Sequence, residues 1–380
     1  MMDPADWRRL SVAFYSRVDQ DTLLRPLFPG KTLHCAVEEF TAFLVQLFGG
    51  PSDDTQRRWW LSLRESHLRF EIGQKHRAAW LENMGKAFDD IKLAEPVRSA
   101  LLEFFERSSA YLVNSGEAVP AVADPRKPPG DSLRQEIAVR WESQCRVDEI
   151  VAAVRAGEAE RAIAVAESDV LRTRFQRDRS VLAGLLALMM GSRNPALLRY
   201  VRETVTHDPA LVRERYASRT LLHQASAQGN LPMVELFLQL GADPNARDGG
   251  GHTPLYSLAN EYKGLDGADV VRALTQRGAD VNACDGVKHC TALHMAARRG
   301  SVEIAEALLD CGAGIDARDS LGDTPLRRSV NCNKIQVAAL LLARGADVDS
   351  KGNKRLTPSQ AARTSAMKRL LSRQSRTSDG

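Results

Sequence analysis

The stretch LRESHLRFEIGQKHRAAW, from Leu63 to Trp80, contains the residues that decide the fold of the first third of the chain. His67 lies among apolar residues at helical spacing, and Trp80 follows thirteen residues later. Imidazole is the commonest metal ligand among side chains, but a single histidine in such a setting is more often a packed or surface residue. The sequence on either side must therefore decide whether His67 is a ligand.

Apolar residues recur at three- and four-residue spacing on both sides of this stretch, which predicts short amphipathic helices. One stripe runs from Trp7 to Val18 and stops before Pro26. A second runs from Val37 to Leu47, and two more lie between Trp80 and Leu112. Residues 1–115 are therefore predicted to form an all-α domain with an aromatic interior.

The motifs of this segment, taken in order, resemble those of the group II truncated haemoglobins. They are FYSRV (Phe14 to Val18), LLRPLFP (Leu23 to Pro29), FL…FGGP (Phe43 to Pro51), the Leu-Arg pair before His67, and RAAWL (Arg77 to Leu81). They align without gaps from Trp7 to Asn114, which is under a third of the chain. The resemblance implies a truncated globin fold that binds haem b, and the absence of a CxxCH motif makes that binding non-covalent.

The resemblance also implies roles for three residues. His67 falls on the proximal histidine that ligates the haem iron, while Tyr15 and Trp80 fall on the distal tyrosine and tryptophan. A proximal histidine leaves the opposite coordination position open for a diatomic ligand such as dioxygen. Tyrosine O–H and tryptophan N–H are donors suited to holding such a ligand.

Further pocket residues follow from the same alignment. Phe28 falls on the aromatic residue that packs on the haem face, and Ala36 and Phe40 fall on the distal helix that forms the pocket wall. Arg64 and Arg77 are candidates to pair with the haem propionates, because guanidinium groups bind carboxylates in bidentate geometry.

The loop before His67 departs from the family pattern. Where the family commonly has a tyrosine and an Arg-Gly-His-Pro element, this chain has Asp54 and Arg58-Trp59-Trp60-Leu61. Ser66 stands where the family usually has a basic residue. These differences bear on the loop geometry and on the propionate contacts.

An internal repeat occupies the C-terminal part of the chain. Its turns start at threonines spaced by 33, 38, 33 and 33 residues, namely Thr220, Thr253, Thr291, Thr324 and Thr357. A 33-residue period with TPLH-like turns and Gly-Ala-Asp endings resembles the ankyrin repeat. The one long interval places its additional residues in 261–266, between two helices. Ankyrin repeats are accordingly predicted over 218–374, with a tail at 375–380.

The region between these two domains has weaker signatures. Residues 116–131 contain four prolines and no helical stripe, which predicts a semi-rigid linker. Residues 132–217 show a helix-turn-helix rhythm without TPLH turns. We interpret them as divergent ankyrin repeats, and the alternative is an unrelated helical spacer.

Composition limits the remaining possibilities. The net charge of +4 over 380 residues is too small to indicate a nucleic-acid partner. The longest apolar window, Val181 to Met190, is about half the length of a membrane span. Six cysteines without a CxxC pair favour reduced thiols, so we expect a cytoplasmic protein. From the charge and the apolar window, we expect it to bind neither nucleic acid nor membrane.

Three functions are compatible with the sequence. The first is a haem protein that binds dioxygen or a related diatomic ligand, joined to ankyrin repeats that bind a protein partner. The second is a haem enzyme, of peroxidase or nitric-oxide dioxygenase type, that needs an external reductase, since no flavin or nicotinamide motif is present. The third is a haem-free ankyrin adaptor. Ankyrin proteins commonly bind partners through the concave face, where the contact candidates are His252, Tyr256, Lys288, Arg298, Arg299, Arg327 and Arg328.

Overall fold

The computed structural model describes residues 2–28, 30–48, 63–67, 70–115, 132–264, 266–352 and 356–374. These residues form helices joined by turns, and they contain only isolated β-bridges and no strand. The all-α prediction is confirmed. The chain divides into two compact units, residues 1–181 and 182–380. The predicted linker, the tail and the loop residues Asp54 and Arg58 to Leu61 lie outside the described residues.

The first unit begins with the helices that the apolar stripes predict. Its α-helices are α1 (Pro4–Val18), α2 (His34–Phe48), α3 (Leu63–His67), α4 (Gln74–Asp90), α5 (Val97–Leu112), α6 (Ser132–Ala156), α7 (Ala159–Ala166) and α8 (Asp169–Arg177). Asp3 caps α1, because its carboxylate accepts a hydrogen bond from the Asp6 amide over 2.7 Å, and Pro4 takes the first helical position.

An aromatic core holds α1, α2, α4 and α5 together. Trp7 stacks on Phe48 with ring centroids 4.8 Å apart, and Phe14 contacts Trp80 at 5.1 Å. Aromatic pairs in such offset and edge geometries add to the free energy gained from burying their area. The candidate site residues Tyr15, Phe28, Phe40 and Trp80 pack against this core.

Helix α6 packs against α2, α3 and α5 of the same unit. Trp141 of α6 is 9% exposed, and its ring lies 5.6 Å from the rings of Phe104 and Tyr111. Arg134 donates from Nε to the Glu103 carboxylate over 3.0 Å. Although the sequence separates 1–115 from 132–217, α6, α7 and α8 belong to the compact unit formed by α1–α5.

The second unit consists of stacked helix pairs. Helix α9 (Arg179–Gly191) spans the division between the units. The helices after it are α10 (Pro195–His207), α11 (Leu221–Ala227), α12 (Leu231–Gln239), α13 (Pro254–Glu261), α14 (Gly267–Gln276), α15 (Ala292–Arg299), α16 (Val302–Asp310), α17 (Pro325–Asn331), α18 (Ile335–Ala343), α19 (Pro358–Ala361) and α20 (Ser365–Gln374). The additional residues of the long repeat lie between α13 and α14, as predicted.

In two of the repeats, the histidine of the TPLH-like turn connects to the next repeat. His223 accepts from the Thr220 amide through Nδ1 and donates through Nε2 to the His252 carbonyl over 3.1 Å. His294 makes the equivalent Nε2 bond to the Asp323 carbonyl over 3.0 Å. Burial lowers the pKa of His223 to about 4, so the imidazole stays neutral and keeps this donor and acceptor pattern.

Candidate functional site

His67 lies at the C-terminal end of α3, and a backbone hydrogen bond fixes its ring. Its Nδ1 lies 2.8 Å from the Leu63 carbonyl oxygen one turn earlier. Because a carbonyl oxygen only accepts, Nδ1 is the nitrogen that donates in this bond. Metal-ligating histidines commonly donate their second nitrogen in this way, so the imidazole is suited to hold a metal ion through Nε2.

Asn114 secures the C-terminal end of α3. Its Nδ2 donates to the Phe70 carbonyl over 2.8 Å and to the His67 carbonyl over 3.4 Å, and its Oδ1 accepts from the Ile72 amide. An asparagine two residues after α5 therefore holds the carbonyls of His67 and Phe70 and the amide of Ile72. No sequence signal indicates this role, since Asn114 only marks the limit of the resemblance.

A row of aromatic rings leads from His67 to Tyr15. Phe70 lies 6.3 Å from the His67 ring and 6.0 Å from Phe28, and Phe28 in turn lies 5.6 Å from Tyr15. The structure thus brings the rings of Tyr15 and Phe28 together, and their roles toward haem stay predictions. Phe70 is a member that the sequence analysis missed, although it follows His67 by three residues.

Phe40 connects Tyr15 to Trp80. Its ring lies 6.1 Å from Tyr15 and 6.4 Å from Trp80, both in edge-to-face geometry. Ala36 is half-buried one turn earlier on α2. The rings of Tyr15, Phe28, Phe40, Phe70 and Trp80 form what we call the aromatic cluster.

The surroundings of Tyr15 keep its hydroxyl protonated. Burial raises the pKa of Tyr15 well above its usual value, and the nearby Glu39 carboxylate raises the pKa further. Tyr15 is therefore a hydrogen-bond donor at any physiological pH.

The two arginines predicted to meet propionates point to α5 in this structure. The Arg64 guanidinium lies 5.5 Å above the Tyr111 ring. Arg77 donates from Nε to Ser109 Oγ over 3.2 Å and from Nη2 to the Glu106 carbonyl over 2.9 Å. Their propionate role stays a prediction, and the structure adds a packing role for each.

Two of the predicted partner contacts are buried between repeats. Tyr256 is 7% exposed and donates to Asp285 Oδ2 over 3.1 Å. Arg327 is 5% exposed and donates to the carbonyls of Leu356 and Thr357 over 2.6 and 2.8 Å. Both take the histidine position of the TPLH-like turn and connect to the next repeat, so they are not surface contacts.

The other predicted partner contacts differ in their exposure and in their bonds to neighbouring side chains. Lys288, Arg298 and Arg299 are exposed, and Arg299 donates to Asn260 Oδ1 over 3.1 Å. The ring of His252 stacks on Tyr256, and its Nδ1 lies 3.0 Å from the Asp248 carboxylate. Arg328 pairs with the fully buried carboxylate of Asp319. Exposed basic charge on this surface therefore comes chiefly from Lys288, Arg298 and Arg299.

Two apolar side chains on the loops between repeats extend into solvent. Val287 is 74% exposed and Leu321 is 55% exposed. Their amides donate to the side chains of Asp285 and Asp319 over 3.0 and 2.8 Å, which rigidifies both loops. The Ser320 amide also donates to the Lys288 carbonyl over 2.8 Å, so the two loops lie side by side.

We call Val287, Lys288 and Leu321 the loop-tip patch. The sequence analysis named only Lys288 of these three. An apolar residue two positions after an aspartate in a loop that begins a repeat was the available signal.

The length and hydropathy of a helix decide whether it can span a membrane. Among the described residues, no helix combines the length and the hydropathy that crossing a bilayer requires.

Comparison with known families assigns both parts of the chain. Residues 4–114 match the family model described as bacterial-like globin. Residues 205–255 and 263–352 match two ankyrin-repeat models. The resemblance to a truncated globin fused to ankyrin repeats is thereby confirmed. The assignment of 132–204 to divergent repeats stays a prediction.

Individual relatives match through part of the chain. The SH3 and multiple ankyrin repeat domains protein 2 of Homo sapiens is 33% identical over 143 residues, which cover 38% of this chain and 8% of that protein. The neurogenic locus notch homolog protein 1 of Mus musculus is 31% identical over 139 residues, covering 37% and 5%. A transient receptor potential cation channel subfamily A member 1 homolog of Caenorhabditis elegans is 30% identical over 167 residues, covering 44% and 13%. The matched segments thus span a small part of each relative.

Proposed function

We propose that this chain, which joins a bacterial-like globin domain to ankyrin repeats, binds haem b non-covalently and uses it to bind dioxygen or a related diatomic ligand. The observation that supports this most is the 2.8 Å bond between His67 Nδ1 and the Leu63 carbonyl, because metal-ligating histidines commonly donate their second ring nitrogen to such an acceptor. The half-buried aromatic cluster also provides an apolar surface against which a flat ring system such as haem can pack.

The residues of the aromatic cluster have different roles in the proposed site. Haem, when bound, supplies an iron with a coordination position open to a diatomic ligand. Phe28, Phe40 and Phe70 supply apolar surface that excludes water, which strengthens the hydrogen bonds formed inside. The Tyr15 hydroxyl and the Trp80 indole N–H are the donors that the cluster offers to a polar ligand.

Haem titration of the purified full chain tests this proposal. We expect a Soret band that grows until one haem is bound per chain and then stops. A titration that yields only the broad absorption of free haem would refute the proposal and favour the haem-free adaptor.

Replacing Tyr15 by phenylalanine should weaken ligand retention without loss of haem. Removing one neutral hydrogen bond costs about 0.5–1.5 kcal/mol, so we expect dioxygen to dissociate about threefold to tenfold faster. Stopped-flow measurement of the dissociation rate checks this. Ser16→Ala is the matched control, because it removes the exposed hydroxyl of the next residue on α1. Equal rates in Tyr15→Phe and the unaltered chain would exclude Tyr15 as a donor.

The ankyrin repeats would bind a protein partner through the loop-tip patch. The combination of two exposed apolar side chains and an ammonium group suits a partner segment with apolar and acidic residues. The rigid loops support this role, since a surface that is already ordered loses little entropy on binding.

A photo-crosslinking residue at position 321, in cells that express the chain, tests this surface. We expect crosslinks to a distinct partner protein from position 321 and none from Glu303, an exposed residue of α16 used as control. Crosslinks of equal yield from both positions would refute the proposed surface. Leu321→Ser should change the free energy of unfolding by no more than about 0.5 kcal/mol, as measured by urea denaturation, because its side chain is exposed.

The cysteines support a cytoplasmic location as part of the same proposal. All six lie in the described ranges, and none of them forms a disulfide bond. Unpaired thiols are typical of reducing compartments.

A further inference from the structure

Helix α6 contacts the two helix ends that flank residues 49–62. Arg140 Nη1 donates to the Leu47 carbonyl over 3.0 Å at the C-terminal end of α2. Asp148 accepts from the Leu63 amide at Oδ1 over 3.0 Å and from the Arg64 amide at Oδ2 over 3.2 Å, at the N-terminal end of α3. Arg140 thus supplies a donor to a carbonyl at the end of α2, and Asp148 supplies acceptors to amides at the start of α3.

Burial and hydrogen bonds hold the Asp148 carboxylate in this position. The residue is 4% exposed, and Gln144 Nε2 and the Tyr111 hydroxyl also hydrogen-bond to it. Burying a carboxylate is costly unless hydrogen bonds satisfy it. The two α3 amides are thus part of what makes an acidic residue tolerable in the interior of this unit.

Asp148 and His67 bind opposite groups of the same residue. The amide of Leu63 donates to Asp148, while the carbonyl of Leu63 accepts from His67 Nδ1. A shift of Leu63 therefore moves the acceptor that orients the imidazole. Partners one shell away from a metal ligand usually affect metal affinity through this kind of orientation.

We infer that Asp148 is a positioning residue for His67. Helix α6 would then contribute to the haem site, although the globin match ends at residue 114. The inference rests on the proposed haem function. It assigns the holding of α3, on which His67 lies, to a helix outside the matched globin segment.

The test compares three variants of the full chain. Asp148→Ala removes both acceptors, and Asp148→Asn keeps one. Glu149→Gln is the matched control, because this neighbouring carboxylate pairs with Arg146 and Arg161 rather than with α3. Two properties are measured: hydrogen exchange of the peptide that covers Leu63–His67 in haem-free protein, and the iron–imidazole stretching band with the haem dissociation rate in haem-loaded protein.

We expect Asp148→Ala to accelerate exchange of that peptide and haem dissociation by about tenfold or more, and to shift the iron–imidazole band. Asp148→Asn should lie between Asp148→Ala and the unaltered chain, and Glu149→Gln should match the unaltered chain. Asp148→Asn also carries the test if Asp148→Ala does not fold.

The contrary outcomes are distinct. Unchanged exchange in both Asp148 variants would overturn the inference, since the carboxylate would not hold α3. Faster exchange with an unchanged band and dissociation rate would also overturn it, because Asp148 would then act only on the helix. An unaltered chain that binds no haem would instead refute the proposed function, and the positioning role with it.

Discussion

Replacing His67 by alanine should lower the affinity for haem by more than about 100-fold. Loss of a partner one shell away from a metal ligand costs 10–100-fold in affinity, so loss of the ligand itself should cost more. The hydrogen bond from Nδ1 to the Leu63 carbonyl would also be lost. Haem titration of the purified variant, followed by absorbance, measures the change.

The control for this variant is His34→Ala. His34 is an exposed histidine at the start of α2, and its removal should leave haem affinity unchanged. If His67→Ala bound haem with the affinity and spectrum of the unaltered chain, another residue would have to supply the iron ligand. The proposed site would then be wrong.

Replacing Trp141 by alanine should destabilise the first compact unit by about 3–5 kcal/mol, because truncating a buried tryptophan removes apolar contact and leaves a cavity. The side chain packs between Phe104 and Tyr111 and is 9% exposed. Urea denaturation measures the free energy of unfolding, and hydrogen exchange of α5 peptides assigns the transition to this unit.

Val139→Ala provides the comparison on the same helix. Val139 is 53% exposed, so its truncation should change the free energy of unfolding by no more than about 0.5 kcal/mol. A Trp141→Ala variant as stable as Val139→Ala would show that α6 contributes little to this unit. It would also weaken the case that α6 holds α3.

Local pattern was enough to predict the helices. The stripe from Trp7 to Val18 predicts α1 because helical spacing places its apolar side chains on one face. The motif string gives Tyr15 and Phe28 separate roles in the predicted haem pocket, and the structure brings their rings to 5.6 Å. Short-range periodicity is sufficient to predict helices, because the apolar spacing along one helix is local in sequence.

Long-range packing was not available from the sequence. The apolar residues of α6 predict a buried face, but nothing in them indicates that Trp141 meets Phe104. The same holds for Asp148, whose side chain meets amides of α3 that lie far away in sequence. Pairing of distant elements depends on the three-dimensional path of the chain, which periodicity does not encode.

The errors in the repeat region have a different cause. Tyr256 and Arg327 are predicted as partner contacts because they lie in the hairpin tips and first helices that form the concave face. Their register, three residues after Thr253 and Thr324, matches that of His223 after Thr220. Register was the better guide, since the position rather than the side chain decides which group reaches the next repeat.

The absorbance spectrum of the haem-loaded full chain in its ferrous form, with and without carbon monoxide, tests the central claim most directly. We predict a five-coordinate ferrous spectrum that shifts when carbon monoxide is added, because His67 would hold the iron and a coordination position would remain for a diatomic ligand. A spectrum that does not respond to carbon monoxide, or no haem spectrum at all, would contradict the claim that this chain is a ligand-binding haem protein.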